Sequence, residues 1–196
     1  SITSKIYASS DHAAAIEKSL SNSNIDYIDL LLIHQPWFDD KWLYQTMEEY
    51  YKQWKLKSIW ISNYYTKEAV DEVLSYAEIQ PAVIQNENHI YHQNTDLQEY
   101  AKQYGIFIES WYPFGWRWNT SENFNNEVIK ELAEKYNKTS AQIILRWHLQ
   151  AWYIVIPGSS NPDHIAENYN IFDFELSDED MQKISEIDQQ RRYENW

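Results

Sequence analysis

Ile28 and Leu30 to Ile33 make a nearly unbroken apolar run, and it ends in His34-Gln35-Pro36. Such continuous apolar character suits a strand of a parallel sheet that is covered on both faces. Pro36 lacks the N–H needed to extend a ladder, so the strand stops and leaves His34 at its carboxyl end. A titratable ring between a buried strand and a proline is poorly explained by packing. His34 is therefore the first candidate for a functional side chain.

The rest of the chain repeats this alternation. Short apolar runs at 2–7, 27–34, 56–62, 82–87, 106–111 and 153–157 read as strands. Between and after them, helical periodicity covers 12–20, 42–53, 67–76, 96–104, 126–136, 140–150, 163–168 and 177–187. The last begins with Ser177-Asp178-Glu179-Asp180, an N-cap followed by acids in the first turn. Strands alternating with helices point to an α/β fold built on a parallel sheet. With 196 residues, 43% of them hydrophobic, and no linker or composition shift, residues 1–196 read as a single domain.

Composition narrows the partners. A formal net charge of −14 argues against nucleic acid and anionic membrane. The chain shows no apolar stretch near the roughly 20 residues of a membrane span, and no secretory signal opens it. With no cysteine, disulfides and thiolate metal sites are excluded. His12, His89, His92 and His148 show no ligand spacing with one another or with carboxylates, so they read as structural or surface residues and no metal site is expected. A cytoplasmic monomer acting on a small molecule is the natural expectation.

Several segments, in order, carry a resemblance. They are Ile2-Thr3-Ser4-Lys5, the run from Ile25 to Pro36, Ile61-Ser62-Asn63-Tyr64, and Pro81-Ala82-Val83-Ile84-Gln85-Asn86-Glu87. Then come Glu109-Ser110-Trp111-Tyr112-Pro113-Phe114, Ala141-Gln142-Ile143-Ile144-Leu145-Arg146-Trp147, Ile156-Pro157-Gly158-Ser159-Ser160 and Ile171-Phe172-Asp173-Phe174-Glu175-Leu176-Ser177. Together they resemble the aldo-keto reductases of bacterial type, nearly end to end. The resemblance implies a (β/α)8 TIM-type barrel with its chemistry at the carboxyl ends of the strands. Six candidate strands fall short of eight, so the barrel is expected to be incomplete here, its first strands missing.

The same resemblance implies an NAD(P)H-dependent oxidoreductase that reduces the carbonyl of an aldehyde or ketone by hydride transfer. Lys5 and His34 match the family's catalytic lysine and histidine. Ser62, Asn63 and Gln85 match residues that hold the nicotinamide carboxamide, and Trp111 matches the aromatic residue stacked on the nicotinamide ring. Gly158, Ser159, Ser160 and His164 match the phosphate loop, a place where a helix start offers N–H groups to an anion. Glu167 and Asn168 match adenine contacts, and Gln35 and Trp37 stand where they would wall the substrate. The commonest pattern has lysine at Gly158 and arginine at His164, which weakens the expected grip on a 2′-phosphate. NADPH is the expected cofactor and NADH the alternative.

The family's catalytic aspartate and tyrosine lie upstream of the matching segments. Reduction of a carbonyl needs an acid to deliver a proton as charge develops on oxygen. The 196 residues alone are thus expected to be nearly inactive. The alternative is a non-catalytic nicotinamide-nucleotide sensor or partner-docking protein.

One compositional fact stands apart. The chain has 10 tryptophans and 3 glycines, where average usage would give on the order of 14 glycines. Trp54, Trp60 and Trp152 stand where the family has glycine, and Trp42, Trp116 and Trp118 follow the same pattern. Positions 54 and 152 end helices just before strands, the usual home of a residue with positive φ. At position 60, inside a strand, an indole is expected to overfill a glycine's space. The pattern is that of a source reading one codon as glycine, rendered here as tryptophan. Reading the gene tests this: one shared non-standard codon is expected at 54, 60 and 152, and ordinary tryptophan codons there would end the idea.

Overall fold

The computed structural model describes residues 2–7, 11–116 and 118–194. They form two compact units, the first from 2–86 and 96–107, the second from 87–95 and 108–194.

The first unit holds β1 (Thr3–Ile6), α1 (His12–Ser23), β2 (Leu30–Ile33), α2 (Asp40–Lys52), β3 (Ile59–Ser62), α3 (Lys67–Tyr76), most of β4 (Val83–Glu87) and most of α4 (Thr95–Lys102). β1 pairs with β2, β2 with β3 and β3 with β4, all parallel. The register places Ile6 beside Ile33, Ile33 beside Ile61, and Ile61 beside Ile84, and all four are buried. One residue earlier, Lys5, Leu32, Trp60 and Val83 stand in the neighbouring row. Side chains alternate along a strand, so the two rows point to opposite faces.

Helix ends follow their caps. Asp11 accepts the N–H of Ala14 and starts α1, which closes at Asn24 in the left-handed region (φ 50°). Thr66 caps α3 through the N–H of Ala69. The second unit pairs β5 (Phe107–Trp111) with β6 (Ile154–Val155) in parallel. Its helices are α5 (Thr120–Phe124), α6 (Glu127–Tyr136), α7 (Ser140–Gln150), α8 (Pro162–Tyr169) and α9 (Asp178–Ser185). α7 begins with a reciprocal cap between Thr139 and Gln142 and buries Ile143, Ile144, Leu145 and Trp147. Ser177 caps α9, the start that its sequence signals.

All six expected strands are present, each trimmed at one or both ends. The run at 27–34 contracts to 30–33 because Asp29 turns aside to accept the N–H of Ile2 at 2.8 Å. The run at 153–157 keeps two ladder residues, since the N–H of Tyr153 is taken by the carbonyl of His148. α5 was not anticipated: five polar-rich residues carry no apolar period. Among the described residues no helix is long and apolar enough to cross a membrane.

Trp54 and Trp152 adopt φ of 62° and 64°, directly after the caps of α2 and α7, with most of each indole in solvent. This is the backbone that a glycine at a helix end supplies without strain. The expectation at position 60 is corrected. Trp60 is buried in the first unit against Leu32 and Val83, and its indole N–H donates to Ser58 Oγ at 2.8 Å, so the strand accommodates the ring. Trp54→Gly and Trp152→Gly should each raise stability by about 1–2 kcal/mol by relieving left-handed strain, read from urea unfolding. A lowered midpoint for both would contradict the strain argument.

Candidate functional site

The carboxyl ends of the four strands in the first unit gather polar side chains. His34 follows β2 directly and is 9% exposed, and its N–H is held by the carbonyl of Ile6 at 2.9 Å. Asn63 follows β3 at φ 66°, a conformation that asparagine tolerates better than most residues. That turn directs its Nδ2 to the carbonyl of His34 at 2.8 Å, while Tyr65 donates to its Oδ1 at 3.1 Å. The carbonyl of Gln85 accepts both the N–H of Asn63, at 3.0 Å, and Ser62 Oγ, at 2.8 Å. Lys5 Nζ donates to Gln85 Oε1 at 2.8 Å. Five residues singled out from sequence thus meet in one hydrogen-bonded group.

Its electrostatics are set by a cation beside a ring. Burial lowers the pKa of His34, and the nearby Lys5 ammonium lowers it further. The imidazole is neutral at pH 7 and can donate through one nitrogen and accept through the other. Tyr7 was missed from sequence. Its ring meets His34 edge-on with centroids 4.3 Å apart, and it lies two residues beyond Lys5, on the same side of the strand. That alternation was available as a signal.

The proposed substrate-wall residues divide. Gln35 is half-buried next to His34, whereas Trp37 is exposed and donates its N–H to Asp40 at 2.8 Å. Trp37 lines a separate groove of about 300 Å³ with Phe38, Tyr64 and Tyr76.

The second unit contains a cavity of about 830 Å³ lined by Trp111, Tyr112, Ile156, Gly158, Ser159 and Ser160, among others. Trp111 packs edge-on against Tyr112 at 4.1 Å, and Tyr112 lies 4.1 Å from the Trp116 ring. Gly158, Ser159 and Ser160 lead into α8, where Asn161 caps the N–H of Asp163 at 2.9 Å and Ser159 Oγ accepts the N–H of Asn161 at 3.1 Å. His164 is exposed in the first turn of α8, with Glu167 and Asn168 half-buried one turn on. Glu167 has a structural duty: its carboxylate accepts from Thr139 Oγ1 and its carbonyl from Gln142 Nε2, tying α8 to α7.

Two histidine–carboxylate pairs escaped the reading of spacing. His12 Nε2 lies 2.7 Å from Asp39 Oδ2, and His89 Nε2 lies 2.9 Å from the buried Glu87. Both are pairs, and no group of three or more such residues that could hold a metal is found among the described residues.

The sequence profile described as "Aldo/keto reductase family" matches residues 4–189. The chain belongs to the aldo/keto reductase family. It is 42% identical over 182 residues to the glyoxal reductase of Bacillus subtilis (strain 168), covering 91% of this chain and 63% of that protein. The chain therefore spans less than two thirds of that relative. Among solved structures it matches MGS-M4, an aldo-keto reductase from a Medee basin deep-sea metagenome library, with a TM-score of 0.93 at 32% identity, over 99% of this chain and 73% of that one. A Bombyx mori aldo-keto reductase in complex with NADP matches with a TM-score of 0.88 at 27% identity, over 98% and 69%. The fold is accordingly α/β, an incomplete (β/α)8 barrel contributing six parallel strands.

Asn63 permits a sharp test of the strand-end group. Asn63→Gly keeps the backbone relaxed and loses a buried hydrogen bond, a cost of about 1 kcal/mol. Asn63→Ala adds about 1–2 kcal/mol of left-handed strain. Urea unfolding should rank wild type above glycine and glycine above alanine. Equal stability of the two variants would contradict this geometry.

Proposed function

We propose that this chain carries the carbonyl-reduction machinery of an NADPH-dependent oxidoreductase, with aldehydes or ketones as substrates. The observation that supports it most is the linked set Lys5, Gln85, Ser62, Asn63 and His34 at the strand ends. Membership of the family, with relatives named as reductases, adds support. NADPH, when bound, supplies the hydride.

The chain's own residues orient the carbonyl and stabilise charge on its oxygen. The acid that gives the alkoxide its proton is, by the family resemblance, carried upstream of the matched segments. A neutral His34 imidazole donates a hydrogen bond to the substrate oxygen and turns the carbonyl toward its reductant. The Lys5 ammonium lowers the energy of negative charge developing on that oxygen. Gln85 holds the Lys5 ammonium in place, and Asn63 does the same for the His34 backbone. Ser62, Asn63 and Gln85 carry the donors and acceptors that suit a carboxamide.

In the second unit, a cavity of about 830 Å³ has an aromatic wall at one part and a Gly-Ser-Ser loop opening a helix at another. That donor set fits a dinucleotide, with apolar ring surface for a base and N–H groups for phosphate. Among the described residues, this loop and the first turn of α8 present neither lysine nor arginine, so discrimination between NADPH and NADH should be modest.

Fluorescence titration with NADPH and NADH, followed by aldehyde-dependent oxidation of NADPH, tests the reading. Saturable NADPH binding is expected, weakened about tenfold by Trp111→Ala through loss of aromatic stacking. Absence of saturable binding would overturn the proposal. Aldehyde-dependent oxidation by these residues alone is expected to be slow for want of the upstream acid, and a rate unchanged by His34→Ala and Lys5→Met would remove those residues from their roles.

A further inference from the structure

Several buried carboxylates take no part in that chemistry, and among the described residues Glu87 and Asp180 are the most completely enclosed. Glu87 ends β4 and belongs to the second unit, where it is fully buried. Its carboxylate accepts from His89 Nε2 at 2.9 Å and from the backbone N–H groups of Tyr193 and Glu194 at 2.5 and 3.1 Å. Burial alone would raise its pKa, but those donors outweigh burial and hold it below the ordinary carboxylate value. His89 is pushed down by its own burial, so it is a neutral donor rather than an ion-pair cation.

The segment seated on this carboxylate follows α9. The N–H groups of Gln189 and Arg191 reach the carbonyl of Tyr91 at 3.1 and 3.0 Å. The Arg191 guanidinium lies over the Tyr91 ring at 4.8 Å and donates to Glu122 at 2.6 Å. Tyr193 stacks on His89 at 4.4 Å, donates to Glu122 at 3.0 Å and accepts from Asn123 at 3.0 Å. None of the described residues from 189 to 194 is fully buried, so polar contacts rather than apolar burial hold this strap.

What the strap touches gives it consequence. Gly115 lines the cavity of the second unit, and a Cβ built there would lie 3.0 Å from the Tyr193 ring and 2.5 Å from Asn123 Nδ2. Tyr193 and α5 therefore close directly on the backbone of that wall.

We propose that Glu87 is a positioning residue: by seating residues 189–194 it sets Tyr193 against Gly115 and so fixes the cavity wall against which the nucleotide is held. The consequence for nucleotide affinity rests on the NADPH reading above. The seating of the strap does not.

Arg191 and Arg192 make the strap cleavable by trypsin. Limited digestion with mass spectrometry, alongside NADPH titration, is done on wild type, Glu87→Gln, Glu87→Ala, Tyr193→Ala and the Glu87→Ala/Tyr193→Ala double variant. Cleavage of a transiently open segment follows its open population. Loss of hydrogen bonds to a charged acceptor should speed cleavage at 191–192 about tenfold in Glu87→Ala, and less in Glu87→Gln. The NADPH Kd should rise about three- to tenfold in Glu87→Ala and in Tyr193→Ala, and the double variant should be no worse than Glu87→Ala, because both act through one contact.

Cleavage as slow as wild type in Glu87→Ala would overturn the seating. Rapid cleavage with unchanged NADPH affinity, or additive losses in the double variant, would overturn the positioning role. Should the Glu87 variants fail to fold by circular dichroism, Tyr193→Ala decides: faster cleavage with weaker NADPH binding supports the proposal, and wild-type values of both overturn it. A wild-type chain that binds no NADPH would overturn the nucleotide reading and the affinity claim, leaving the seating to be judged by cleavage.

Discussion

Parallel pairing in register is the constraint on which the strand-end group depends. Ile6, Ile33, Ile61 and Ile84 stand side by side across β1 to β4, and each is buried. A slip of one residue would turn every side chain on a strand to its other face. Burial of that row therefore fixes where the next residues emerge. His34, Ser62 and Gln85 each follow one of those isoleucines, which is how residues far apart in the chain come within hydrogen-bond reach. Lys5 arrives in the preceding row and spans the remaining distance with its long side chain to Gln85 Oε1.

The polar group is bonded by its own members before any ligand is considered. Asn63 occupies a left-handed turn and uses its side-chain amide on the His34 carbonyl. Its backbone N–H shares the Gln85 carbonyl with Ser62. Groups held this way lose little freedom on binding, which is the physical content of preorganisation. The same economy appears in the second unit, where the N-terminus of α8 is assembled from Ser159, Asn161 and Asp163.

Much of this was readable from residues alone, and for identifiable reasons. Among the described residues, apolar runs and helical periods anticipate six strands and every helix but α5, which has neither signal. The proline after Gln35 located His34, and positive φ at Trp54 and Trp152 follows from their places after helix caps. Contacts that depend on the path of the chain were not readable. Glu87 meets Tyr193 across more than a hundred residues, and no local pattern encodes that approach. His12 and Asp39 are likewise brought together only by packing of their elements. Trp60 shows the limit of arguing from residue size, because the space around Leu32 and Val83 accepts an indole.

The closeness of Lys5 and His34 is the claim on which the functional account turns, and histidine proton NMR measures it directly. In a pH titration His34 should titrate below the ordinary histidine value, because it is buried and because an ammonium lies nearby. Lys5→Met should move that midpoint upward without restoring it fully, since burial remains. A His34 midpoint at the ordinary value, indifferent to Lys5→Met, would show that the two groups do not share a site.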